Sequence, residues 1–322
     1  MCARLREDFS IFLQPFIPLH SVWNARRVQK RTLRMFVSTF MIALGISFGG
    51  ISAVEAQGSP NARLVKAVEG DDLKAAQAAL EAGAAPDATI DGNPVSCMAA
   101  YHGQTALLKT LLDHGARLDT RKFDDHLTLL MFAALSGNPE TVQILLDRKV
   151  KVNQQDELGE TALMTVRAPL PSAVTSELPP VSKNSELSQP SGRVAILKML
   201  LHAGAGKEIR DIGGSTALMR YAKYGVKEAV EVLVDAGAKV NGRDREGNTA
   251  LILAAGWQFL DKNLKTDGYG SIVQRLLKAG ADARVKNKAG LTALAAARRQ
   301  GHEDIVTLLK GAGAMAGFSS GL

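Results

Sequence analysis

A chain of 322 residues, 46% hydrophobic but only 5% aromatic, is longer than most single cores and is built from small apolar side chains suited to close helix stacking. Two cysteines exclude a disulfide framework. The net charge of +7 is concentrated in residues 1–56, with seven Lys/Arg against three Asp/Glu; 32 basic and 29 acidic residues remain beyond it, which is no argument for nucleic-acid binding.

In chain order, the first predicted element is a targeting segment. Arg26, Arg27, Lys30, Arg31 and Arg34 precede an apolar run from Met35 to Ala53. Val54-Glu55-Ala56 then places small residues where a signal peptidase reads. This pattern predicts a signal peptide over 1–56. The alternative is an uncleaved membrane anchor, because the run is about long enough to span a bilayer. Phe9 to Leu19 form a second apolar patch, broken by Pro15 and Pro18, that sits awkwardly in any signal peptide. It predicts an over-called start, with initiation at a valine such as Val28.

From residue 57 to 314 a block of about 33 residues recurs. Its closing pairs are Gly83-Ala84, Gly115-Ala116, Gly204-Ala205, Gly237-Ala238, Gly280-Ala281 and Gly313-Ala314, with Lys149-Val150 standing in one copy. Thr128, Thr161, Thr216, Thr249 and Thr292 each precede an apolar helical run and are expected to cap it. An Ala-rich inner helix, a glycine break such as Gly137, Gly225 or Gly301, and a second helix with aliphatics at i, i+3, i+4 complete the unit. The closing glycine is expected to end that second helix in the left-handed conformation. An Asp-x-x-Gly turn, as in Asp244-Arg245-Glu246-Gly247, leads into the next copy. A fixed period in this range marks a stacked-repeat architecture, with function on the surface of the stack.

With these residues in register, the chain resembles an ankyrin repeat protein over roughly residues 61–314, with copies starting near 61, 94, 128, 161, 216, 249 and 292. The resemblance implies an all-α solenoid of about seven helix–turn–helix repeats joined by β-hairpin-like turns. Two features depart from the family pattern. Ala replaces Pro in the Thr-Pro-Leu-His start of four copies, and the His position holds Cys97, Met131, Met164, Met219, Ile252 and Ala295. The first copy lacks the Thr and fits a polar cap. Residues 315–322 are expected to form a flexible tail.

Candidate chemistry dissolves on inspection. His102, His114, His126, His202 and His302 show no metal-ligand spacing. Cys97 falls at a core position of an inner helix, and the recurring methionines stack through the core. No phosphate-binding loop and no triad can be assembled, so no enzyme, cofactor, metal or small-molecule substrate is expected.

The family's concave face, lined by hairpin tips and inner helices, implies three candidate surfaces for a protein partner. Aligned tips place Arg121, Gln155, Arg210, Arg243 and Lys286 at one position, with Lys122, Arg245 and Lys288 nearby, a basic edge suited to an acidic partner. Tyr101, Phe132, Leu135, Tyr224 and Trp257 are placed to face the groove; the alternative is that some pack between repeats. Two inserts complete the set. The one near 168–190 is Pro- and Ser-rich; the one near 256–270 carries Trp257, Phe259, Leu260 and Tyr269. The resulting expectation is a non-enzymatic protein-binding module of the bacterial periplasm. Its alternatives are a membrane-tethered scaffold and a secreted effector or immunity-type binding protein.

Overall fold

The computed structural model describes residues 58–90, 92–120, 127–166, 190–256 and 267–318. The targeting segment, Arg121, Lys122, Trp257, Phe259 and most of both inserts lie outside the described residues.

Local chemistry sets where helices begin. Ser59 accepts from the Ala62 N–H at 3.1 Å and Pro60 takes the first helical position of α1 (Pro60–Glu69). Asp72 accepts from the Ala75 N–H at 2.9 Å and opens α2 (Leu73–Glu81). The described residues then continue in the same pairwise manner: α3 (Val95–Tyr101) and α4 (Thr105–Asp113), α5 (Leu129–Ser136) and α6 (Pro139–Asp147), α7 (Ala162–Thr165) and α8 (Pro190–His202). Three more pairs follow: α9 (Ala217–Lys223) and α10 (Lys227–Asp235), α11 (Ala250–Gly256) and α12 (Asp267–Lys278), α13 (Ala293–Gln300) and α14 (Glu303–Phe318). Odd-numbered inner helices stack on one another, and even-numbered outer helices do the same. The result is the all-α array of seven helix pairs that the period implies, within one compact unit, Gln57–Leu322. Between the first two repeats, β1 (Thr89–Ile90) pairs antiparallel with β2 (Asn93–Pro94) as a short hairpin.

The core follows the repeat register. Leu107, Leu108 and Leu111 of α4 and Leu129, Leu130 and Met131 of α5 are fully buried, each contributing about 2 kcal/mol of transfer free energy. Cys97, Met131, Met164, Met219 and Ile252 are buried at one equivalent position, whereas Ala295, in the last repeat, is half-buried.

Closing glycines Gly83, Gly115, Gly204, Gly237 and Gly280 lie at φ between +79° and +95°, the left-handed cap the spacing predicts. Lys149 adopts the same conformation at φ +58°, so the third repeat closes like its neighbours. Its N–H reaches the Leu146 carbonyl at 2.9 Å and the Val150 N–H reaches Leu145 at 3.3 Å. Gly313 does not close its repeat, because α14 runs on through it to Phe318.

The capping threonines divide. Thr128, Thr249 and Thr292 accept from the N–H three residues on, at 3.2–3.3 Å. Thr161 and Thr216 make no such bond, and the buried Thr161 hydroxyl has no partner among the described residues.

Side chains near outer-helix starts reach back to the preceding repeat. Gln104 donates to the Val68 carbonyl at 2.8 Å and Asn138 to the Gly103 carbonyl at 3.1 Å. Tyr269 donates to Lys223 at 2.9 Å, and the Nδ1–H of His302 to Ala255 at 3.1 Å. Beyond the closing turns, Asn153 and Asn241 each clasp the closing turn of the next repeat. They donate to the Gly204 and Gly280 carbonyls and accept from the Gly206 and Asp282 N–H groups, at 2.8–3.1 Å.

Candidate partner-binding surface

The edge of the stack is a row of tight turns, each organised by one polar side chain. Asp211 Oδ1 accepts the N–H groups of Gly213 and Ser215 at 2.8 Å, and Asp244 Oδ1 those of Glu246 and Asn248 at 2.9 and 2.8 Å. The turns are also joined to one another. The N–H groups of Ile212, Arg245 and Lys288 each donate at 2.9 Å to the preceding turn, at Leu158, Gly213 and Glu246.

A second ladder runs alongside through side chains. Gln155 donates to the Arg210 carbonyl at 3.0 Å, Arg210 to the Arg243 carbonyl at 2.5 Å, and Arg243 to the Lys286 carbonyl at 3.4 Å. Arg210 also donates to Gly214 at 2.6 Å. The expected basic edge thus has a structural role in Arg210 and Arg243, whose guanidinium groups hold successive turns together. Lys286 supplies a carbonyl to the ladder and exposes its own side chain.

Tyr101 and Phe132 do not face the groove. They are 3% and 5% exposed and meet edge-to-face at 6.3 Å, packing between the second and third repeats. Both sit in inner helices whose neighbours close over them. Leu135 is half-buried against the same core. Tyr269, expected in a binding insert, is also buried: residues 267–270 already belong to α12, and its ring lies over the Gly225 turn.

Tyr224 is half-buried at the C-cap of α9. The guanidinium of Arg220 lies 5.7 Å and the ammonium of Lys223 5.8 Å from its ring centre. Arg220 in turn meets Glu160 at 2.5 Å and Asp211 at 3.5 Å, tying three consecutive segments of the edge. Burial raises the Glu160 carboxyl above the ordinary glutamate range, against the opposing pull of Arg220. Burial likewise lowers the Lys223 ammonium.

Two exposed apolar residues on this edge escaped the sequence reading. Leu158 is 39% and Ile212 55% exposed, the large hydrophobics most open to solvent among the described residues. They occupy adjacent turns joined by the Ile212–Leu158 backbone bond. Alignment of the turns could have found them, because Ile212 stands where the other turns carry Glu157, Arg245 and Lys288.

Elsewhere, a groove of about 730 Å³ separates α8 from α10 on the outer side, with Lys198 and His202 on one wall and Glu228, Glu231 and Asp235 on the other. The Cys97 thiol is fully buried and pushed up to about 12, chiefly by that burial. Among the described residues there is no group of three or more His, Cys, Asp or Glu able to hold a metal ion, and no helix long and apolar enough to cross a membrane.

Comparison with known proteins agrees with this geometry. The family model for ankyrin repeats in three copies matches residues 64–166 and 187–262. The chain is 30% identical over 181 residues to the ankyrin repeat and KH domain-containing protein mask-1 of Caenorhabditis elegans, covering 56% of this chain and 6% of that protein. It is 31% identical over 129 residues to human ankyrin repeat domain-containing protein 63, covering 39% of this chain and 31% of that protein. It is 28% identical over 214 residues to an L-asparaginase of Dirofilaria immitis, covering 66% of this chain and 31% of that protein. The chain thus spans under a third of each relative, and those relatives' activities are their own. Matched over more than half its length by the repeat model, and folded as stacked helix pairs with hairpin-like turns, the chain belongs to the ankyrin repeat family.

Proposed function

We propose that this chain is a non-enzymatic binding module of an exported bacterial protein, acting in the periplasm by holding a partner protein against the turn edge and inner-helix groove. Ankyrin repeats are protein–protein interaction modules, and the chain belongs to that family. The observation that carries the reading is the turn edge itself: successive turns fixed by backbone and side-chain ladders, with Leu158 and Ile212 left open on them. A rigid edge presenting apolar side chains lowers the ordering cost of binding. Export is supported by the basic cluster, the apolar run Met35 to Ala53 and the small residues before Gln57.

Cross-linking in intact cells from photoreactive residues placed at 157 and 288, followed by mass spectrometry, tests the binding role. One reproducible partner protein is expected, and its absence from both positions would count against the module. Fractionation with N-terminal sequencing tests the location. A periplasmic form starting at Gln57 is expected. The length of the apolar run favours a tethered scaffold as the second reading, and a membrane form retaining residues 35–53 would establish it.

A further inference from the structure

We infer that the edge from the fourth to the seventh repeat docks an acidic segment of its partner that carries an aliphatic anchor. The anchor sits on Leu158 and Ile212, and the acidic residues lie over Arg243, Arg245, Lys286 and Lys288. This rests on the binding role proposed above and gives it a partner chemistry.

Three observations converge. First, Leu158 and Ile212 are exposed side by side on turns whose other members place charged or small residues at the same positions. Neither belongs to the buried core, so folding gains little from their being apolar. Second, the apolar pair continues into cationic surface. Backbone and Cγ atoms of Arg245 lie against Gly214, where an added Cβ would come within 3.0 Å of that Cγ. The stem of Arg245 therefore lies on the Asp211–Gly214 turn that carries Ile212, with its charge beyond. Arg243, Lys286 and Lys288 are exposed beyond it.

Third, the acidic groups on these last turns are few and engaged. Asp244 accepts two backbone N–H groups and one from the Asn248 side chain, and Asn287 stands where the three preceding turns have Asp156, Asp211 and Asp244. Glu246 is the exposed carboxylate that remains on the two turns. The Arg243 guanidinium is already held by the Lys286 carbonyl, so binding need not immobilise it. An acidic occupant fits this charge distribution, and an aliphatic residue fits its apolar end.

The test is selection of random phage-displayed peptides on the immobilised full chain, followed by fluorescence anisotropy with the enriched peptides. Two surface variants serve as controls, Leu158→Ser with Ile212→Ser and Arg245→Glu with Lys288→Glu, each checked for an unchanged circular-dichroism melt. Acidic peptides containing an aliphatic residue should be enriched. Their affinity should fall about tenfold or more on either variant, a difference of about 1.4 kcal/mol, and should weaken with added salt. Peptides of other composition, or peptides indifferent to both variants, would overturn this docking mode and leave the binding role standing. Failure to enrich any peptide would overturn the docking mode, and the cross-linking result would then decide the binding role separately.

Discussion

The hydroxyl of Tyr221, in the inner helix of the fifth repeat, donates to the carbonyl of Leu163 in the fourth, 2.8 Å away, and lies 3.2 Å from the Val166 carbonyl. The helix it serves, α7, is only four residues long, and the Tyr221 hydroxyl supplies a donor to carbonyls at its end. Tyr221 is 2% exposed, which leaves no room for water as a substitute. Tyr221→Phe should therefore cost about 1–2 kcal/mol, the price of leaving a buried acceptor unpaired. Tyr269→Phe, whose bond to Lys223 is partly exposed, should cost about half as much. Urea denaturation of the two variants gives the comparison; equal losses would show that the short helix does not depend on its neighbour.

Gly225 makes the sharpest demand for a missing side chain. It sits at φ +72°, and a Cβ there would lie 2.7 Å from the Tyr269 ring. Gly225→Ala combines left-handed strain with a clash against a buried aromatic, and should destabilise by about 2–4 kcal/mol. Gly237→Ala, at φ +79° with nothing within 4 Å of the added carbon, should cost only about 1 kcal/mol. Thermal melts of both variants separate the two contributions.

Lys149 offers the reverse experiment. It holds a left-handed cap that glycine holds in the neighbouring repeats. Lys149→Gly should stabilise by about 1 kcal/mol, less the extra entropy glycine gains in the unfolded chain. A rise in the urea midpoint with an unchanged slope is the expected result; a fall would mean the Lys149 side chain contributes contacts that outweigh the strain.

The Arg220 cluster predicts a pH dependence. Arg220→Met leaves Glu160 and Asp211 partly buried without their cation, and should cost about 3 kcal/mol near pH 7. Burial already holds the folded-state Glu160 carboxyl above its unfolded value, and losing Arg220 raises it further. In the window between the two values the folded state binds more protons, so its stability falls as pH rises. The variant should therefore recover part of its loss as the pH is lowered from 7 to 5. Urea titrations at both pH values check this, and a deficit that grows on acidification would refute it.

The period, the closing glycines and the methionine stack were legible in the sequence because each follows from spacing and from backbone conformations that few residues tolerate. Thr128 and Thr161 look alike in sequence, yet only the first caps its helix; the difference lies in geometry that no local pattern carries. Arg210 and Arg243 read as a free basic edge because their carbonyl partners lie 33 and 43 residues away. Tyr101 and Phe132 read as groove residues because periodicity places a side chain on a helix face without saying how tightly the next repeat closes over it. The sequence places Tyr269 in an insert because composition does not mark where α12 begins. Leu158 and Ile212 do not stand out by periodicity, because isolated aliphatics in polar turns carry none; only alignment of the turns marks them.

The backbone bonds joining successive turns share one polarity: each later turn donates and each earlier one accepts, at 2.9 Å in all three cases. A junction of this kind is interchangeable. An in-frame duplication or loss of one unit among the last repeats would present the same donor to the same acceptor, so the array can change length in evolution without inventing an interface. The junction between the fourth and fifth repeats is different. Leu163 requires a tyrosine at position 221, and Glu160 requires an arginine at 220. Those two units are keyed to each other, and exchanging either alone would leave the Leu163 carbonyl and the Glu160 carboxylate without these partners.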